Sequence, residues 1–147
     1  MNKKGYGANT IIFDDQGRVL LVKHTYGRKS WHLPGGGAEA NESVIETAVR
    51  ETYEETGLQV VATHMTGIYY DPGQDFLILV FLCRSLNGGF ESLCPADLRE
   101  ISECAFWPLD ALPKPINDFT IRRINDALSG VRLLLPIEIP PRQWLVE

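Results

Sequence analysis

Cysteine is scarce in this chain. There are three in 147 residues, Cys83, Cys94 and Cys104, and no CxxC pair. An odd, scattered count argues against a disulfide framework or a cysteine-built metal knuckle, and suits reduced thiols in a reducing compartment. Long apolar runs are absent too: no window approaches the ~18 residues that a membrane span needs. No apolar run follows Lys3 and Lys4, so no signal peptide is expected. Basic charge is in deficit, with 14 Lys and Arg against 19 Asp and Glu and a net charge of -5. That argues against a broad nucleic-acid-tracking surface on electrostatic grounds. The three histidines, His24, His32 and His64, lack metal-ligand spacing and read as structural or surface residues. There is no internal repeat and no low-complexity segment. What remains is 44% hydrophobic and 22% charged, enough to build one globular domain over residues 1–147 with a real core. The expectation is a soluble, cytoplasmic protein with no membrane partner.

Residues Tyr6 to Phe13 read as a strand, with β-branched Thr10, Ile11 and Ile12. Asp14-Asp15-Gln16-Gly17 is a turn and Val19 to Val22 a second strand, so a hairpin is expected. The four consecutive apolar residues of that second strand imply burial on both faces. A loop carrying Arg28 and Lys29 leads to Trp31-His32-Leu33-Pro34 and then three glycines. Strand signals return at Val60 to Thr63, Thr66 to Tyr70, Phe76 to Cys83 and Glu103 to Trp107. Turns are expected at Asp71 to Asp75 and at Asn87-Gly88-Gly89. The signal is weak from Phe90 to Cys94. A second helix is expected from about Asn117 to Leu128, and the tail, with Pro136, Pro140 and Pro141, is extended. Strand pair, helix, several strands, helix is the order of an α/β layered domain with a mixed sheet.

The stretch from Gly36 to Leu58 organises the rest. Ser43-x-x-Glu46 is a capping box, and Gly57 supplies a left-handed stop. Ile45, Ala48, Val49 and Thr52 form a face to bury. Glu46 and Arg50 are placed for an i,i+4 pair. Glu51, Glu54 and Glu55 fall within an arc of roughly 100° on another face. The positions four residues after them are Glu55, Leu58 and Gln59, so no following base relieves them. The like-charge pair Glu51/Glu55 costs a bare helix a few tenths, about 0.3 kcal/mol. Three converging carboxylates suit a hard cation such as Mg²⁺, which takes oxygen ligands and shares its shell with water and phosphate. Glycines ahead of the helix let backbone come close to a metal or a phosphate. Together these point to attack of water on a phosphoanhydride.

The segment Gly36-x5-Glu42-x7-Arg50-Glu51-Thr52-Tyr53-Glu54-Glu55-Thr56-Gly57-Leu58 resembles the Nudix box, and Leu33-Pro34-Gly35-Gly36 is similar to its usual lead-in. The one departure is Thr52, where the family prefers an aliphatic residue. The resemblance implies the Nudix α/β/α sandwich, a Mg²⁺ or Mn²⁺ requirement, and hydrolysis of a nucleoside diphosphate linked to another moiety X. It implies that Glu51, Glu54 and Glu55 are metal ligands, with the Gly36 carbonyl a further candidate. Arg50 would hold Glu51 and Glu42 in place. A further acid outside the box is expected as ligand or base, with Glu103 first, then Glu100 and Asp97.

Substrate contacts are expected from Lys23, Arg28 and Lys29 on phosphates, and from Trp31 and Tyr69 or Tyr70 on a base. Against each stands an exposed cation or a packed core aromatic. Glu91 and the Asp71–Asp75 loop read as solvated turn chemistry. The alternatives to catalysis on a small nucleotide are a catalytically silent nucleotide-sensing module and removal of pyrophosphate from RNA 5′ ends. The proline-bearing tail also leaves a homodimer open.

Overall fold

The computed structural model describes residues 5–86, 89–90, 93, 95 and 97–145. The expected turn at Asn87-Gly88, together with Glu91 and Cys94, lies outside the described residues. The chain runs β1 (Gly5–Ile11), β2 (Val19–His24), β3 (Trp31–His32), β4 (Gly35–Gly37), α1 (Val44–Thr56), β5 (Val60–Asp71), β6 (Phe76–Ser85), β7 (Ile101–Trp107) and α2 (Asp118–Leu128). A four-stranded mixed sheet has the order β4-β1-β6-β5, with β1 parallel to β6. A three-stranded antiparallel sheet has the order β3-β2-β7.

Two expectations change. The β1–β2 hairpin is confined to its closing end, where Phe13 bridges Val19 and the Leu20 N–H donates to the Ile12 carbonyl at 3.0 Å. Beyond that point the two strands enter different sheets, because Val19 to Val22 are all fully buried and need packing on both faces. The two short strands expected between Val60 and Tyr70 are one twelve-residue strand, β5, bent by register shifts at Ala62/His64 and Met65/Gly67. Bulges of this kind bend a strand without ending it.

Side-chain alternation puts the helices on opposite faces. Ala8, Ile12 and Leu20 pack with Ala48 of α1, Leu58 and Phe81. Ile11, Val19 and Leu21 pack with Ile124 of α2, Trp31 and Val80. This is the α/β/α arrangement expected from the sequence. Cutting Ile124 to alanine would cost about 3 kcal/mol, the usual loss for a fully buried aliphatic residue. No helix among the described residues is long and apolar enough to cross a membrane.

Candidate active site

The geometry begins with the caps of α1. Ser43 Oγ accepts the Glu46 N–H at 3.1 Å, and the Glu46 carboxylate accepts the Ser43 N–H at 3.4 Å. Gly57, at φ 78°, closes the helix with its N–H on the Tyr53 carbonyl at 2.8 Å. Ala48 and Thr52 are fully buried against β1. The Thr52 hydroxyl lies 2.9 Å from that of Thr10, which accounts for a polar residue at a position where an aliphatic one is usual. Each hydroxyl satisfies the other out of contact with water.

With α1 fixed this way, its acids meet β4. Strand β4 is three glycines, paired antiparallel to β1 with Ala8 opposite Gly36. A Cβ on Gly36 would sit 2.6 Å from Glu51 Oε1, so the carboxylate occupies the space a side chain would fill. Gly35, at φ 152°, holds a conformation open to glycine and donates its N–H to Glu55 Oε1 at 3.0 Å. Glu55 is 4% exposed. Burial raises its carboxyl to about 8, opposed by the Gly35 N–H and reinforced by the charge of Glu51. Burial raises Glu51 as well, opposed by Arg50. Glu54 is the most open of the three.

Arg50 ties the group together. Its Nε and Nη2 form a fork on Glu42, at 2.6 and 2.9 Å. Nη1 donates to Glu51 Oε1 at 3.0 Å and to Glu54 Oε2 at 3.3 Å, and Nη2 to the Gly37 carbonyl at 3.2 Å. Glu42 also accepts the Thr47 hydroxyl at 2.8 Å. Hydrogen bonding from Arg50 takes Glu42 down to about 2. The expected i,i+4 contact of Arg50 with Glu46 gives way to this fork: Glu46 is engaged in the capping box, while Glu42 offers both oxygens in the bidentate geometry that arginine favours.

The structure distributes the other sequence candidates unevenly. Glu103 is exposed on β7, with one oxygen 3.9 Å from Lys23 Nζ across the β2–β7 register. The acid outside the helix whose charge acts on Glu51 and Glu55 is Glu100. Asp97 is engaged by Arg99, at 3.1 Å. Trp31 sits in the core at 5% exposure, edge-on to Trp107 at 5.2 Å, and not on the surface of the cleft. Arg28 and Lys29 are exposed, and Arg28 borders a cavity of about 590 Å³. Tyr69 donates its hydroxyl to Asp126 Oδ2 at 2.7 Å and meets Phe119 of α2 edge-on.

Three features lie beyond what the sequence reading picked out. His24 stacks on His32 at 4.1 Å and on Tyr26 at 4.8 Å. Burial holds His32 neutral, down to about 4, with Ser30 Oγ 2.7 Å from its Nε2. Arg123 of α2 reaches Asn9 of β1. All three depend on strand pairing or helix docking, and only the placement of Trp31-His32 beside the glycines hinted at them.

A family model described as the NUDIX domain matches residues 3–127. The chain belongs to the Nudix family. Over 130 residues it is 35% identical to the putative 8-oxo-dGTP diphosphatase of Bacillus subtilis (strain 168), covering 86% of this chain and 81% of that one. It is 28% identical to human 8-oxo-dGDP phosphatase NUDT18, covering 92% of this chain and 44% of the human protein, so it spans less than half of that relative. Among solved structures, an ADP-ribose pyrophosphatase from Streptococcus suis 89-1591 superposes with a TM-score of 0.70 at 27% identity, covering 89% and 96% of the two chains.

The donor set fits a hard divalent cation. Every candidate group is an oxygen, two of the carboxylates are desolvated, and the missing side chain of Gly36 leaves room for the Glu51 carboxylate. Among the described residues no three acids converge on a common point as they stand: Glu51 and Glu54 turn to Arg50 and Glu55 turns to Gly35.

Proposed function

We propose that this Nudix domain hydrolyses a phosphoanhydride bond in a nucleoside diphosphate linked to another group X, using Mg²⁺ or Mn²⁺. The observation that carries the reading is the face of Glu51, Glu54 and Glu55 set over the glycine strand Gly35–Gly37 and braced by Arg50. Glu51, Glu54, Glu55 and the Gly36 carbonyl would hold the cation. When bound, it neutralises charge on the diphosphate and makes a water more acidic.

The chain's own groups do the rest. Arg50 fixes Glu51 and Glu42, so the carboxylates are set before substrate arrives. Glu54, the most open acid, orients the attacking water, and Glu100 is the nearer of the outside acids in its electrostatic effect. The stacked His24, His32 and Tyr26 border the cavity that also contains Arg28 and Asn117, and offer flat surface to a base. The named activities of the relatives make oxidised deoxyguanosine phosphates and ADP-ribose the first substrates to try.

The experiment is a panel of 8-oxo-dGTP, 8-oxo-dGDP, ordinary dNTPs, ADP-ribose and nucleotide sugars, each with Mg²⁺, Mn²⁺ or EDTA. Cleavage of at least one that EDTA abolishes is expected. A folded protein that cleaves none of them contradicts the proposal.

A further inference from the structure

Arg123 borders the cavity of about 300 Å³ that is floored by Gly35, Gly36 and Gly37, and among the described residues it is the only Lys or Arg lining it. It also borders the adjoining cavity of about 400 Å³ under Tyr69, Tyr70 and Phe119. The two cavities share Asp71, Ile78 and Arg123. Arg123 thus stands where the two cavities meet, on a helix that packs in a different core cluster from α1.

The partners of Arg123 are all neutral. Nη1 donates to Asn9 Oδ1, Nη2 to Thr120 Oγ1 at 3.4 Å, and Nε to the Phe119 carbonyl at 3.2 Å. Its guanidinium carbon stands 5.5 Å from the centre of the Phe119 ring. Among the described residues no carboxylate forms an ion pair with it. Asp126, one turn on, is engaged by Arg122 at 3.0 Å and by Tyr69 at 2.7 Å. Among the described residues Asp71 is the one acid lining the same cavity, and it accepts the Gly73 N–H at 2.9 Å; Asp118 lines the adjoining cavity and forms no ion pair with Arg123. A guanidinium has five N–H donors, and three are used here. Burial of a charged group without an opposite charge is costly, and burial pushes Arg123 below its ordinary value. A phosphate would relieve that cost, since a guanidinium matches its oxygens in charge and in fork geometry.

We propose that Arg123 is the anion anchor of the substrate cavity, binding a phosphate oxygen of the nucleoside diphosphate through N–H groups that no carboxylate engages. The assignment rests on the proposed reading of this cleft as a nucleoside diphosphate site. It places one phosphate contact on α2, beside the glycine strand that Glu51 and Glu55 of α1 also meet.

The test is ADP binding by calorimetry, with Mg²⁺ and again in EDTA, for the wild type, Arg123→Gln, Arg123→Lys and Arg122→Gln. Arg123→Gln should weaken binding roughly tenfold to a hundredfold, the worth of one charge-assisted contact. The loss should persist in EDTA. Arg122→Gln, an exposed neighbour on the same helix, should bind as the wild type does. Unchanged ADP affinity in folded Arg123→Gln, with only a lowered melting temperature, overturns the proposal and leaves Arg123 a brace between α2 and β1. An equal loss in Arg122→Gln also overturns it, because the effect is then the general field of the helix. If Arg123→Gln does not purify folded, Arg123→Lys decides: it keeps the charge without the fork, and at least a threefold loss supports the anchor while none overturns it. The proposed function is judged separately. No hydrolysis across the substrate panel with an Arg123-dependent ADP affinity removes the enzymatic reading and keeps the anchor. Hydrolysis with an Arg123-independent affinity does the reverse.

Discussion

Arg50 and Arg123 border the same glycine strand and are partnered in opposite ways. Arg50 lies among Glu42, Glu51 and Glu54 and donates to Gly37, so its charge is balanced inside the protein. Arg123 touches an amide, a hydroxyl and a carbonyl, and has no carboxylate partner among the described residues. The first arrangement is finished without a ligand and serves to hold other side chains still. The second leaves a half-buried charge without an opposite one, which is what the proposed anion anchor requires. On the proposed reading, the arginine of α1 sets geometry and the arginine of α2 receives an anion.

The comparison can be broken most sharply at the acids on the α1 side. Glu54→Gln or Glu55→Gln should lower kcat by roughly a thousandfold or more if they carry the chemistry. Their melting temperatures should stay close to wild type, because each change relieves repulsion among carboxylates. Near-wild-type turnover in both would remove them from the mechanism.

Arg50→Gln comes next and should differ in kind from Arg123→Gln. It strands Glu42 and Glu51 with little access to water, so denaturant unfolding should show a loss of about 3 kcal/mol along with the loss of turnover. Stability unchanged by Arg50→Gln would mean that the two arginines are not opposites after all.

The Glu42 contact sharpens the same point through pH. Its folded carboxyl, at about 2, lies below its ordinary 4.5 because of Arg50, so the unfolded chain binds the extra proton. The stabilisation is therefore complete above pH 4.5 and is lost as pH falls towards 2. Glu42→Gln should cost about 2 kcal/mol at neutral pH, and thermal melts of mutant and wild type should converge as acid is added. A gap that stays constant into acid would show that charge is not what Glu42 contributes.

The smallest effect belongs to the buried hydroxyl pair behind the acids. Thr52→Val should cost about 1 kcal/mol by stranding the Thr10 hydroxyl, and Thr10→Val in addition should recover most of it. Additive losses in the double mutant would show that the pair is not coupled.

How much of this was legible in the chain follows from distance along it. The capping box of Ser43 and Glu46, the stop at Gly57 and the arc of Glu51, Glu54 and Glu55 are set by spacing within one helix, and they stand as read. Helix α2 was legible for the same reason. Strand β4 was not, because three glycines carry no strand signal and owe their pairing to β1. The division into two sheets was hidden in the burial of Val19 to Val22, which any apolar run shares. Counting only bases that follow the acids left out Arg50, which precedes Glu54 by four residues and reaches both Glu51 and Glu54; the family resemblance, not the helix spacing, assigned it to Glu51 and Glu42. Arg123 meets Asn9 across 114 positions. Nothing local distinguishes it from Arg122, which faces solvent one residue earlier.

The central claim is that the α1 acids drive metal-dependent cleavage of a phosphoanhydride. Its most direct test is product release from ADP-ribose and 8-oxo-dGDP by wild type and Glu54→Gln, side by side in Mg²⁺ and in EDTA. The account predicts cleavage of at least one of them by wild type in Mg²⁺, and background rates in the other three combinations. Equal rates for wild type and Glu54→Gln, or cleavage that survives EDTA, would contradict it.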